Sequence, residues 1–184
     1  NESDELGWAL KSLDNVEHEE VLVIEDYPKP FWASYSNAHD QIAKYYHACE
    51  ISDADELLLA NDDMYIMEPW EPENYNRGTL ADHVAERGRM DSYTKQLHGT
   101  NKFLLSRGMK TNSYELHTPM IVDRIKLKQA IEEIIPYIGK YKSNIVLIRS
   151  YYGNMFNIES TYMEDCKNPS NPQGMTLLST TEKT

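Results

Sequence analysis

Leu6, Leu10 and Leu13 recur at helical spacing behind Ser3, Asp4 and Glu5, a capping hydroxyl followed by two carboxylates suited to the positive end of a helix dipole. The pattern predicts a short amphipathic helix. A polar stretch, 14–20, separates it from Val21-Leu22-Val23-Ile24, a run that is β-branched and too short for a helix, and so predicts a buried strand. Tyr27-Pro28-Lys29-Pro30 stops that strand, and Ile42, Tyr45, Tyr46 and Cys49 then mark a helix over 38–49. Leu57-Leu58-Leu59-Ala60 is apolar at successive positions, as a central strand covered on both faces would be. Strand, helix and strand make a βαβ unit, and sheets of that kind bind ligands beyond the carboxyl ends of their strands.

Asn61-Asp62-Asp63-Met64 follows that second strand, and Arg77-Gly78-Thr79 precedes a helix over 80–86. A longer helix begins at Asp91, passes through Leu97, Phe103, Leu104 and Leu105, and closes at Gly108. Residues 114–122 are extended in character, since Pro119 biases Thr118 away from helix and Ile121 and Val122 are β-branched. Asp123 can cap the next helix, carried by Ile125, Ala130, Ile131, Ile134 and Ile135, with Pro136 ending it or in its last turn. Residues 145–148, continuing through Arg149 and Tyr151, fit either a strand or a buried helix, with helix preferred. Residues 168–174 form a loop around Pro169 and Pro172, and 175–179 a closing strand.

At 184 residues, with 40% hydrophobic and 26% charged side chains, the chain reads as one globular domain, 1–184. No apolar run approaches the ~18 residues that span a bilayer, and no basic-then-apolar leader opens the sequence. Cys49 and Cys166 have no metal-type spacing and read as reduced thiols of a cytoplasmic protein. The net charge of −12 disfavours non-specific binding of nucleic acid or anionic membranes. Its distribution is uneven: residues 1–76 carry 3 basic and 19 acidic side chains, and 77–184 carry 15 and 11. That is either a solvated surface or a site where acidic groups hold a cation and basic groups an anionic substrate.

Asp62 and Asp63, adjacent at a strand end, repel each other unless something neutralises them. Mg²⁺ or Mn²⁺ would do so, since either takes one or two carboxylates together with the phosphate oxygens of a substrate. A simple turn accounts for the same residues. His117, in an apolar and aromatic setting, is either a structural histidine or a proton acceptor near neutral pH. Arg77 reads as a phosphate contact or as a surface residue before a helix cap. Arg149, ending an apolar run, requires a partner, which a salt bridge or a substrate anion would supply.

The segments SDELGWALKSL, VLVIEDYPKPFW, LLLANDDMYIMEP and YELHTPMIVD, in that order, resemble the Stealth-type sugar-phosphate transferases and related bacterial and phage glycosyltransferase-like proteins. The resemblance runs from Ser3 to Asp165, and RGT at 77–79 and RSYYGN at 149–154 share it. It implies a GT-A-like, Rossmann-like α/β domain with a mainly parallel central sheet flanked by helices. It also implies a nucleotide-sugar donor whose diphosphate meets an acidic motif through a metal. Asp62 and Asp63 match the acidic pair of the family's N-D-D block, and His117 matches the histidine of its later block. The family begins with a strand ahead of S-D-E-L, whereas the sequence given opens at Asn1 just before that block, and the acidic pair is D-D where many GT-A enzymes have D-x-D.

The expectation is a transferase of a sugar or sugar phosphate. Asp62 and Asp63 hold Mn²⁺ or Mg²⁺, Arg77 or Arg149 stabilises the leaving diphosphate, and His117 positions or deprotonates the acceptor. A glycan, another polymer or a modified nucleobase would serve as acceptor, and nucleic acid enters only in that specific role. A metal-dependent phosphohydrolase or nuclease using the same acidic pair, and a sugar-binding relative without turnover, stand as alternatives.

Overall fold

The computed structural model describes residues 2–138, 146–167 and 173–180. In chain order they form α1 (Glu2–Ser12), α2 (Asn37–Ile51), β1 (Glu56–Leu59), β2 (Met64–Ile66), β3 (Tyr75–Asn76), α3 (Leu80–Arg87) and α4 (Ser92–Leu105). There follow β4 (Met120–Asp123), α5 (Arg124–Ile138), α6 (Ile148–Met155), β5 (Thr161–Tyr162) and β6 (Leu177–Ser179). The class is mixed α/β. The expected loop falls largely outside the described residues.

Local chemistry sets the helix starts. Ser36 accepts a hydrogen bond from the His39 amide ahead of α2, and Asp91 accepts one from the Thr94 amide ahead of α4. Thr79 and Asp82 form a reciprocal capping box at the start of α3. Asp123 accepts from the Lys126 amide at 2.8 Å, opening α5 as expected, and Pro136 lies within the last turn of α5. Leu127, Ala130, Ile131, Ile134 and Ile138 put one buried stripe along α5, which packs between α2 and α6. With Ile42, Leu80, Leu97, Leu104 and Tyr151 they make the main core. A smaller core of Val16, Ile66, Cys166 and Leu177 lies beside β2 and β6.

The sheet differs from expectation. The described strands pair two by two: β1 with β4 and β2 with β6 antiparallel, and β3 with β5 parallel. Among the described residues no mainly parallel central sheet is built. The leucine run of β1 is nonetheless covered on both faces, with Leu57 and Leu59 toward the main core and Leu58 toward the smaller one. Successive apolar residues therefore reported burial correctly but carried no information on strand direction. Residues 21–24 are not a strand, and Val21, Leu22 and Val23 are 42%, 38% and 50% exposed. The βαβ unit is consequently absent, because the run lacks a pairing partner among the described residues. Leu10 of α1 is likewise exposed, and Ala9 is buried.

Only the end of the expected extended segment, from Met120, pairs as a strand. Ser113 pairs through its backbone with Arg77 and Gly78, whereas residues 114–118 have their backbone groups satisfied largely by side chains. The Tyr114 amide donates to Ser150 Oγ at 3.1 Å, the His117 amide donates to Asp165 Oδ1 at 3.0 Å, and the Leu116 and Thr118 carbonyls accept from Arg149. No helix among the described residues is long and apolar enough to cross a membrane.

Gly153 in α6 lies against this segment, and a Cβ there would sit 2.4 Å from the buried Tyr114 ring. Gly153→Ala is expected to lower unfolding free energy by about 2 kcal/mol. Gly7→Ala, with nothing within 4 Å in α1, is expected to leave it unchanged or raise it by up to about 1 kcal/mol. Urea unfolding followed by circular dichroism measures both.

Candidate functional site

His117 sits in the pinned segment, and its geometry is set from three sides. Arg149, 9% exposed, donates from Nη1 to the Leu116 carbonyl at 2.8 Å and from Nη2 to the Thr118 carbonyl at 2.6 Å, so its guanidinium clamps the residues flanking His117. Cys166 Sγ donates to the His117 carbonyl at 2.9 Å. Asp165 accepts from the His117 amide and from ring Nδ1, the latter at 2.8 Å through Oδ2. An ionised carboxylate can only accept, so Nδ1 carries the proton of the neutral ring and Nε2 keeps its lone pair. The ring is neither sealed nor fully solvated, with 30% of the side chain exposed. Burial raises the Asp165 carboxyl, but the hydrogen bonds and charge of His117, with Arg77 adding to them, outweigh it and hold the group below the usual carboxylate range.

Arg77 approaches the same oxygen of that carboxylate, with Nη1 3.7 Å from Asp165 Oδ2. Its Nη2 donates to Glu86 at 2.7 Å, and Nη1 lies 3.2 Å from His83 Nε2. His83 is buried and its Nδ1 is 2.9 Å from Ser113 Oγ. Burial first, then the charges of Arg77 and Arg87, push His83 down to about 4. The ring is therefore neutral at physiological pH, accepting from Arg77 at Nε2 and donating from Nδ1 to Ser113. Arg77 is thus neither a plain surface arginine nor an uncompensated cation. Together with Glu86, Tyr162, Glu164 and Asp165 it lines a surface cavity of about 300 Å³.

Of the acidic pair, Asp63 approaches Lys167, two residues beyond Asp165. Asn61 to Met64 close a turn, with the Met64 amide donating to the Asn61 carbonyl at 3.1 Å, so the turn chemistry of these residues is realised. Asp62 is exposed. Asp63 Oδ2 is 3.6 Å from Lys167 Nζ, and its Oδ1 is buried without a hydrogen-bond partner among the described residues. Residues 165–167 therefore hold His117 at one end and Asp63 at the other, although neither aspartate lines the cavity. Among the described residues no group of three or more potential metal ligands gathers. A cation here would find only Asp63 Oδ1 free of a hydrogen-bond partner among the described residues and would take its remaining ligands from water and phosphate.

Sequence reasoning missed His83, Glu86, Tyr162, Glu164 and Asp165. His83 and Glu86 had a usable signal, since their spacing of three on α3 places both on one face just after Arg77. Asp165 had none, because its contact with His117 spans 48 positions. The thiols were read correctly as unpaired, and burial pushes both Cys49 and Cys166 up to about 11, which makes them unreactive.

The lowered His83 value fixes a pH dependence. Above about pH 6.5 the ring is neutral in folded and unfolded chains alike; as pH falls toward 4 only the unfolded chain takes up the proton, so stability is lost over that window. The loss between pH 7 and pH 5 is expected to be about 2 kcal/mol from this residue, and His83→Gln should remove that part of it. Urea midpoints at the two pH values measure the difference.

No family model matches this chain, and no curated protein matches it.

Proposed function

We propose that this protein is a metal-dependent transferase that moves a sugar, or a sugar phosphate, from a nucleotide-sugar donor to a hydroxyl acceptor. The observation that carries the reading is the His117–Asp165 pair beside the cavity that Arg77 and Asp165 line. A neutral imidazole fixed through Nδ1 presents Nε2 as a base, the arrangement required to take a proton from an attacking hydroxyl. The order of the N-D-D and H-T-P-M-I blocks in the Stealth-type resemblance supports the same substrate class.

The acceptor hydroxyl gives its proton to His117 Nε2 as its oxygen bonds to the transferred sugar carbon or phosphorus. The bond from that atom to the donor's leaving phosphate oxygen breaks, and the leaving nucleotide carries away the electron pair. Asp165 stabilises the imidazolium that forms. Arg149 acts through the carbonyls of Leu116 and Thr118 and is a positioning residue. Asp63, with Asp62 beside it, would hold Mg²⁺ or Mn²⁺, whose chemistry there is to neutralise the leaving phosphate.

A panel of nucleotide-sugars assayed for binding and nucleotide release, with and without Mn²⁺ or Mg²⁺, tests the reading. Asp63→Asn should lower metal-dependent turnover at least about 100-fold with the fold intact, because an amide cannot supply the charge a cation needs. His117→Ala should lower kcat about 10²- to 10⁴-fold with donor affinity little changed. Unchanged turnover in Asp63→Asn, or no metal-dependent turnover of any donor by the wild type, overturns the proposal. Donor binding without turnover would instead identify a sugar-binding relative, and hydrolysis of simple phosphodiesters to a phosphomonoester and an alcohol would identify a phosphohydrolase or nuclease.

A further inference from the structure

Val21-Leu22-Val23-Ile24 has the composition of a sheet strand, with three β-branched residues in four, yet residues 20–24 lie in neither helix, strand nor turn. The run is held at both ends. Before it, Asn15 donates from Nδ2 to the Ile66 carbonyl of β2 at 2.7 Å and accepts from the Trp70 amide at 2.9 Å, and Val16 is buried in the smaller core. After it, Tyr27 packs against the main core and donates from its hydroxyl to Asp40 Oδ1 at 2.8 Å. Between these anchors the backbone amides and carbonyls of 19–26 make no hydrogen bond to the described residues. A β-branched run with exposed side chains and free backbone donors and acceptors has the properties of a strand edge before it pairs.

Charge decides what can pair with it. Glu17, Glu19, Glu20, Glu25 and Asp26 flank the run, all exposed and none in an ion pair among the described residues. A second copy of this chain is disfavoured: antiparallel pairing of 21–24 with itself sets Glu20 opposite Glu25 and Glu19 opposite Asp26, and parallel pairing in register sets each carboxylate beside its own copy. An anionic membrane surface meets the same repulsion. In a paired strand successive side chains alternate between faces, so Val21 and Val23 would share one face with Glu19 and Glu25 at its two ends. The complement of that face is a strand with apolar residues at two alternate positions and a cation at the next alternate position on either side.

We propose that residues 19–25 are a docking strand for another protein chain, which adds an extended segment of the pattern basic-x-apolar-x-apolar-x-basic. Backbone hydrogen bonds supply the attachment, Val21 and Val23 the apolar contact, and Glu19 and Glu25 the choice of partner. The surface is independent of the transfer reaction proposed above, since it uses neither His117 nor the acidic turn.

Titration of the full chain with the synthetic peptides KTVTVTK and ETVTVTE, followed by amide NMR shifts and by hydrogen exchange, tests this. KTVTVTK should bind at least about 10-fold more tightly than ETVTVTE, more weakly as salt is raised, and should slow exchange of the amides within 19–25. Reversing the charge with Glu19→Lys and Glu25→Lys together should invert the preference, and because neither carboxylate has a partner to lose, circular dichroism should show the fold retained. Equal binding of the two peptides, binding of neither, protection elsewhere than 19–25, or a preference unmoved by the charge reversal overturns the proposal. A dimer by sedimentation velocity, with the same amides protected in the absence of peptide, places a second copy on the run and overturns it as well.

Discussion

Residues 114–118 have no strand to pair with among the described residues, and most of what surrounds His117 follows from how their backbone groups are satisfied. Arg149 caps two carbonyls, Ser150 and Asp165 accept from two amides, and Cys166 donates to a third carbonyl. Each is a side chain from another part of the chain, so the segment is fixed only once α6 and the loop after β5 are in place. Glu115 adds to the dependence, since its carboxylate accepts from the Ser150 amide and hydroxyl at the start of α6. The stretch holding the candidate base is thus assembled by tertiary contacts rather than inherited from a sheet.

The same contacts divide the neighbourhood electrostatically. On one side Asp165 joins Glu86 and Glu164 around a guanidinium that they neutralise. On the other, two residues along, Lys167 approaches Asp63. Residues 165–167 link the two, with Asp165 on His117 and Lys167, two positions on, beside Asp63.

The helices were legible because each carries its own signal: Ile42, Tyr45 and Cys49 along α2, Asp91 and Asp123 at the starts of α4 and α5, and the apolar stripe of α5. The strands were legible only in part. Leu57, Leu58 and Leu59 reported burial on both faces, but direction and partner are set by residues more than sixty positions away, at 120–123. Val21, Leu22 and Val23 showed the same local character and yet stay exposed, which no local signal distinguishes. In the site, His117, Asp63 and Arg77 could be picked out by type and neighbours, whereas Asp165 could not, and the neutral state of His83 depends on burial that only the fold creates.

The central claim is that His117 and Asp165 act as one unit in accepting a proton. A double-mutant cycle on turnover with the best donor and acceptor pair, comparing His117→Ala, Asp165→Asn and the double variant, addresses it most directly. The account predicts a kcat loss in each single variant, a double variant no slower than His117→Ala alone, and donor affinity unchanged throughout. Losses that multiply in the double variant, or full activity in Asp165→Asn, would contradict it.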